Sequence, residues 1–239
     1  MASKETHTQS QTPSCRINIL KDGPYLVHGA PPLFQEYIIP DEEGYSREYK
    51  KGTTYASQEP MALCRCGKSH TKPFCDGTHQ KEHWKGTETA SHDNYADNAE
   101  VIQGPLTTLY DNEPLCAGAR FCDPDGQVWN LTEYGETEKE RALAEKEATH
   151  CPAGRLVIAD AETGHILEPH LTQSLSLLED IAANCSGPLW VRGGIPIIGA
   201  DGFSYEVRNR VTLCRCGHSQ NKPFCDGSHI EAEWRDGLM

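Results

Sequence analysis

Two windows of sixteen residues, 150 positions apart, constrain this chain more than any other feature. Residues 64–79 read CRCGKSHTKPFCDGTH and residues 214–229 read CRCGHSQNKPFCDGSH, identical at twelve of sixteen positions. The match extends without a gap to Leu63 with Leu213 and to Trp84 with Trp234. Upstream, GPYLVHG at 23–29 echoes GPLWVRG at 187–193, so the repeated unit includes a strand ahead of the cysteines. One supersecondary unit is used twice. The first copy carries 14 more residues between these landmarks, expected as a longer surface loop within the polar stretch 41–57.

Each window offers three thiols and one imidazole: Cys64, Cys66, Cys75 and His79, then Cys214, Cys216, Cys225 and His229. Zinc in a Cys3His tetrahedron and a [2Fe-2S] cluster with two ligands per iron both suit these ligand types. Structural zinc usually takes its first pair from Cys-x2-4-Cys, and Cys-x-Cys is tighter. Residues i and i+2 of an extended chain point to one side, and residues four apart share a face of a helical turn. The spacing therefore favours two pairs, each on its own iron. RNA-binding Cys3His fingers need basic surroundings. Here 22 basic residues face 35 acidic ones, for a net charge of -13, which argues against nucleic acid and anionic lipid as partners.

A length of 239 residues points to one or two domains. With 21 Gly and 15 Pro, turns and short strands should outnumber long helices. No apolar run is long enough to span a bilayer. Residues 1–14 read as a solvated tail without an export signal. Eleven cysteines without such a signal indicate a reducing compartment, here expected to be cytoplasmic.

β-Branched and aromatic runs predict strands at 15–20, 25–28, 34–39, 189–192 and 203–211, forming a small antiparallel sheet in each copy. A short helix is expected after each third cysteine, with Asp76 or Asp226 as N-cap. Between the copies, 136–150 reads as an exposed, charge-paired helix, and 155–160 and 174–178 as strands.

The two windows resemble the signature of the CDGSH iron-sulfur (mitoNEET-like) family, Cys-x-Cys-x2-Ser/Thr-x3-Pro-x-Cys-Asp-Gly-Ser/Ala/Thr-His, with every signature position present twice. The resemblance implies one [2Fe-2S] cluster on Cys64, Cys66, Cys75 and His79 and a second on Cys214, Cys216, Cys225 and His229. It casts Ser69, Pro73, Asp76, Ser219, Pro223 and Asp226 as supporting residues. MitoNEET is a membrane-anchored homodimer with one motif per chain, whereas this chain has no anchor and both motifs. The expected fold class is therefore α+β, mostly β: two CDGSH repeats (15–86 and 185–239) with small antiparallel sheets exchange strands about a pseudo-twofold axis as an intrachain pseudo-dimer. A small α/β middle segment (87–184) joins them.

A Cys3His site carries one negative charge fewer than an all-cysteine site, so its potential should lie above the ~-400 mV of plant-type ferredoxins. Because the imidazole must be neutral to bind, acid should release the cluster. In the middle segment, Cys116 and Cys122 with Cys151-Pro152 resemble a divergent ferredoxin family holding a single larger cluster. A cube wants four ligands, the fourth being Cys185, His150 or solvent, and a degenerate remnant with buried thiols is the alternative.

Cys15 reads as a strand-packing residue, and His165 and His170 as solvated. Trp84 and Trp234 read as lids on the motif helices. Arg65 and Arg215 either offset cluster charge or are solvated. No nucleophile-and-base motif, phosphate loop or dinucleotide fingerprint is present, so no enzyme is indicated. The expectation is a soluble redox protein that passes electrons or clusters to redox or apo-cluster acceptor proteins, itself a monomer, against the alternative of a zinc-binding interaction module.

Overall fold

The computed structural model describes residues 15–238; the tail expected at 1–14 lies outside the described residues. The first copy contains β1 (Arg16–Ile19), β2 (Tyr25–His28), β3 (Leu33–Pro40), β4 (Ser46–Tyr55), β5 (Met61–Leu63) and α1 (Thr78–Lys81). The middle contains β6 (Glu100–Gln103), β7 (Thr107–Asp111), α2 (Val128–Tyr134), α3 (Glu138–His150) and β8 (Leu156–Asp160). The rest is β9 (Ser174–Asp180), β10 (Cys185–Arg192), β11 (Ile197–Ile198), β12 (Arg210–Leu213) and α4 (Ser228–Glu231).

Two sheets, ordered β11-β1-β2-β5 and β12-β10-β9-β3-β4, carry the repeat. In the first copy β1 pairs antiparallel with β2, and β2 with β5; in the second, β9 pairs antiparallel with β10, and β10 with β12. The remaining strand of each copy crosses over. β3 lies parallel to β9 with Leu33 opposite Leu175, and β11 lies parallel to β1 with Ile197 opposite Ile17. The entry bonds repeat as well: Leu175 N–H donates to Pro32 O at 2.8 Å and Ile17 N–H to Pro196 O at 2.9 Å. This is the expected reciprocal exchange within one polypeptide. Each sheet is mixed rather than purely antiparallel, because the borrowed strand arrives in parallel.

The exchange follows from alternation. β1 buries Ile17 and Ile19, and β9 buries Leu175 and Leu177 at the matching positions. Both sets join Val27, Leu33, Leu63, Val191, Ile197 and Leu213 in one core. A sheet of three short strands leaves its apolar face in water until a second covers it. β9 makes the second copy's β unit begin at Ser174, ahead of the boundary at 185.

Three local expectations differ from the structure. The extra residues of the first copy are not a loop but β4, a ten-residue strand on the edge of the second sheet. Its row of charged side chains suits an edge strand facing water. The strand expected at 203–211 is reduced to β12, because Phe203 and Tyr205 fold back on β11: Gly199 N–H donates to Phe203 O (2.7 Å) and Tyr205 N–H to Ile197 O (3.0 Å). The N-cap positions of α1 and α4 are Gly77 and Gly227, with φ of 83° and 87°, rather than the aspartates before them.

In the middle, the antiparallel sheet β6-β7-β8 and the helices α2 and α3 enclose a second core of Leu109, Val128, Ala144, Ala148, Leu156 and Ile158. α3 starts on a capping box in which Thr137 Oγ accepts from Glu140 N–H and Glu140 accepts from Thr137 N–H. It is less exposed than expected: Ala144, Glu147 and Ala148 are buried, and only Glu138, Lys139, Ala142 and Lys146 are fully exposed, the rest being half-buried. No helix of the described residues is long and apolar enough to cross a membrane.

Candidate metal centres

Each motif is a small hairpin built from the strand before it. Cys64 N–H donates to Pro73 O (2.8 Å) and Cys75 N–H to Ala62 O (2.8 Å); in the second copy Cys214 donates to Pro223 O (2.9 Å) and Cys225 to Thr212 O (2.9 Å). These bonds draw the third cysteine back to the first two. Ser69 Oγ donates to Phe74 O (2.6 Å) and Ser219 Oγ to Phe224 O (2.7 Å). Each aspartate staples loop to helix. Asp76 accepts from His70 N–H and Thr78 N–H, both at 2.9 Å, and Asp226 from Gln220 N–H (2.7 Å) and Ser228 N–H (3.0 Å). The His70 N–H and the other donors hold the Asp76 carboxyl well below its ordinary range.

The four donors of a motif fall into two pairs. Cys64 Sγ lies 3.7 Å from Cys66 Sγ, and Cys75 Sγ 3.4 Å from His79 Nδ1. The second copy has the same spacings, 3.7 Å for Cys214 with Cys216 and 3.4 Å for Cys225 with His229 Nδ1. Among the described residues no three metal-ligating side chains close on a single ion. The Cys64 thiol is pulled down to about 6 by its hydrogen bond with Cys66 and by the N–H groups of Ser69 and Gly67. Cys214 is drawn to about 6 by Cys216 and the matching amides. Their partners Cys66 and Cys216 are raised, since each pair shares one proton. A thiol so close to ionisation exchanges that proton readily for a metal. Burial and the nearby Arg215 charge push His229 down to about 4, which leaves its ring neutral and able to bind.

The two sites differ in exposure. Cys75 and His79 are half-buried, whereas Cys225 and His229 are 2% and 3% exposed. The middle segment covers the second site. Ala117, Ala153 and Cys151 pack around Cys225, and a Cβ on Gly118 would lie 2.4 Å from Ile230 Cδ1. The Cys-x-Cys loops also touch each other: a Cβ on Gly67 would lie 2.3 Å from Cys216 O, and one on Gly217 2.6 Å from Cys66 O.

The role read for the two arginines needs correction. Arg65 and Arg215 are neither solvated nor turned to the sulfurs but are buried struts. Arg65 donates to the carbonyls of Gly23, Leu20 and Gly86 at 2.8–3.0 Å, and Arg215 to those of Gly187 (2.8 Å) and Leu178 (2.9 Å). Arg215 is also paired with Glu179 (2.7 Å) and Asp236. Trp84 and Trp234 lie over these guanidinium groups, at 4.9 and 5.1 Å, while their backbone N–H groups donate to His79 O and His229 O of the motif helices at 3.0 Å. Trp234 Nε1 approaches Gly67 O of the other copy at 3.4 Å.

Two contributors escaped the sequence reading. Tyr25 Oη donates to Cys214 O at 2.7 Å, joining the first copy to the second motif; its only sequence signal is that Leu189 stands at the equivalent position. Arg210, 2% exposed, binds the carbonyls that end α3, and its counterpart in the first copy is Pro60.

Cys116, Cys122 and Cys151 are half-buried. Burial, with the neighbouring Cys151 and Cys116, pushes the Cys122 thiol up to about 12. Arg155, locked on Asp111 at 2.6 and 2.7 Å, lies beside Cys116. Of the fourth-ligand candidates, Cys185 sits opposite Asp180 at the start of β10, and His150 Nδ1 is bonded to Lys146 O at 2.8 Å. Cys15 packs against the main core as expected, and His165 and His170 are exposed.

A family model described as iron-binding zinc finger, CDGSH type, matches residues 22–80 and 186–230. The chain carries two CDGSH-type iron-binding segments. A second family model, a divergent 4Fe-4S mono-cluster, matches residues 102–161 between them. No curated protein and no solved structure matches the chain. The two CDGSH-type segments and the 4Fe-4S-type segment between them support an iron-sulfur protein, and the paired cysteines and histidines of the two segments sit on an internally exchanged β scaffold.

Proposed function

We propose that each CDGSH motif holds one [2Fe-2S] cluster and that the protein is a one-electron carrier whose first site meets the acceptor. The paired donors carry this reading. A tetrahedral metal with bonds of about 2.3 Å to sulfur and 2.0–2.1 Å to nitrogen sets two ligands about 3.5–3.8 Å apart, and the observed separations are 3.7 and 3.4 Å. Each pair thus fits one iron of a two-iron cluster, while a single zinc ion would need all four donors around one point. Bound there, the cluster supplies reversible uptake of one electron.

The chain's own residues set the conditions. Lys68 N–H and His218 N–H point at Cys66 Sγ (3.5 Å) and Cys216 Sγ (3.4 Å), bonds that stabilise thiolate charge. Half-buried His79 leaves the first site open to a partner, and the middle segment screens the second. The internal exchange makes the chain its own dimer, so we assign it a monomeric state. A net charge of -13 points to protein acceptors rather than nucleic acid, in a reducing, cytoplasmic setting and without enzymatic turnover of its own. The middle thiols Cys116, Cys122 and Cys151 would supply three ligands to a further cluster of the kind their family is described by.

Iron and acid-labile sulfide per chain test the reading: about four of each for the two CDGSH clusters, and about eight when a cube fills the middle site. A colourless, zinc-loaded protein would overturn it. His79→Cys should lower the potential of the first cluster and make it more resistant to acid. Mixing the holo-protein with an apo-ferredoxin separates the roles, since a carrier keeps its clusters and a donor loses them.

A further inference from the structure

A cleft outside the cysteine motifs opens between residues 90–98, the loop ahead of Cys116 and the second motif. Its volume is about 370 Å³, within the range of about 300–1,000 Å³ usual for small-molecule sites. Arg208 stands in its wall, with its guanidinium between the rings of Tyr95 (5.7 Å) and Phe224 (5.4 Å). Among the described residues this side chain makes one long bond, Nη1 to Ala153 O at 3.4 Å, and no ion pair. The two carboxylates at the same end are engaged elsewhere. Glu206 accepts from Tyr95 N–H, and Asp93 from Ser91 Oγ (2.5 Å) and Asn98 Nδ2 (3.3 Å). The wall is fixed by bonds of its own, since Tyr95 Oη donates to Arg155 O (2.6 Å) and Asn112 Nδ2 to Tyr95 O (3.0 Å). Burial pushes the Arg208 guanidinium below its ordinary range, as it does a cation that lacks a counter-charge.

Past Asn98 and Pro114 the cleft continues into a second cavity of about 370 Å³, lined also by Glu100, Glu113, Asp111 and Arg155. Asp111 is taken by Arg155 and by Trp129 Nε1 (2.9 Å). Glu100 and Glu113 are exposed and make no ion pair among the described residues. The cleft is thus cationic at one end and acidic at the other. We propose that it binds a small zwitterion, with a carboxylate on Arg208 and an ammonium group at Glu100 and Glu113. A guanidinium fork suits a carboxylate through two parallel N–H···O bonds. A phosphate dianion suits it less, because Asp93 and Glu206 line the same end and would repel the second charge. Amino acids with a cationic side chain and short peptides share the zwitterionic chemistry. Phe224 and Asn221 belong to the loop of the second motif, so the occupant would rest on the segment that carries Cys225. The proposal holds whichever metal the motifs bind.

Titration calorimetry of the holo-protein as isolated tests this with L-lysine, triglycine, triglycine amide, N-acetyl-triglycine and inorganic phosphate. L-lysine or triglycine should bind saturably, and the tighter of the two tells a free amino acid from a peptide. Triglycine amide lacks the carboxylate and N-acetyl-triglycine lacks the ammonium, so each should bind roughly tenfold more weakly than triglycine, or worse. Arg208→Gln should weaken triglycine to the same degree. The double variant Glu100→Gln, Glu113→Gln should weaken triglycine and leave N-acetyl-triglycine unchanged. If Arg208→Gln does not fold, the amide comparison reads the same contact on the unaltered protein. Four results would overturn the proposal: no saturable binding of either zwitterion, equal affinity for triglycine and its amide, tighter binding of phosphate, or a double variant that binds triglycine unchanged.

Discussion

The two arginines inside the Cys-x-Cys segments offer a paired experiment, because they share two equivalent carbonyl partners, while Arg65 bonds Gly86 O where Arg215 bonds the Asp236 carboxylate and also pairs with Glu179. Replacing either by leucine removes donors from buried carbonyls, at roughly 1–3 kcal/mol. Arg215→Leu does more. It strands the Glu179 and Asp236 carboxyls, both with 0% side-chain exposure. Removing one partner of a buried ion pair costs about 3–5 kcal/mol. Arg65 has no carboxylate bonded to it, so Arg215→Leu should exceed Arg65→Leu by that amount. In a chain of this length the difference corresponds to about 6–20 °C in Tm, at 2–4 °C per kcal/mol.

The excess should depend on pH in a definite direction. Glu179 already sits up at about 7, because burial and the Asp236 charge outweigh Arg215. Without the arginine both carboxyls have folded-state values above their unfolded ones. Their penalty is then absent below the unfolded values and grows as pH rises through the folded ones. Thermal unfolding followed by circular dichroism at pH 6 and 8, on protein of equal iron content, reads both effects. The triple variant Arg215→Leu, Glu179→Gln, Asp236→Asn should recover most of the excess. Equal losses for the two arginines, or an excess that does not shrink at pH 6, would refute the charge argument.

Gly67→Ala places a methyl 2.3 Å from Cys216 O at a φ of 74°. It should therefore lower Tm and loosen the clusters of both motifs, and a loss confined to the first would contradict the contact. Tyr25→Phe removes the bond to Cys214 O and should cost about 1 kcal/mol in denaturant titration, with the slope of the titration unchanged. Burial and the Asp125 and Asp123 charges push Glu147 up to about 7, so its contribution is fully present below its unfolded value of 4.5 and is lost as pH rises through 7. Glu147→Gln should flatten the pH dependence of stability between pH 5 and 8. On stepwise acidification the more exposed first cluster should bleach before the second, and a single synchronous loss would count against the difference in burial.

The pairing of the candidate donors was legible because metal binding demands particular atoms at particular spacings, and Cys64, Cys66, Cys75 and His79 recur 150 residues later. The exchange was legible for a related reason: two copies with one motif each leave their apolar strand faces to cover one another. β4 was not. Its charged sequence reads as a loop, and only pairing with β3 makes it a strand. Arg65 and Arg215 were misread because a guanidinium beside two cysteines suggests charge compensation, whereas the carbonyls that hold it come from residues 21–45 positions away, brought close only by folding.

Local chemistry therefore settled in sequence alone: sixteen residues contain all the donors of a motif, and the i, i+2 and i, i+4 spacings already aim them in pairs. The tertiary structure decided the inequality between two nearly identical motifs. The middle segment packs its cysteine loop on Cys225 and leaves Cys75 half-buried. Burial is set by whatever else in the chain comes to lie over a site, and no motif records that about itself.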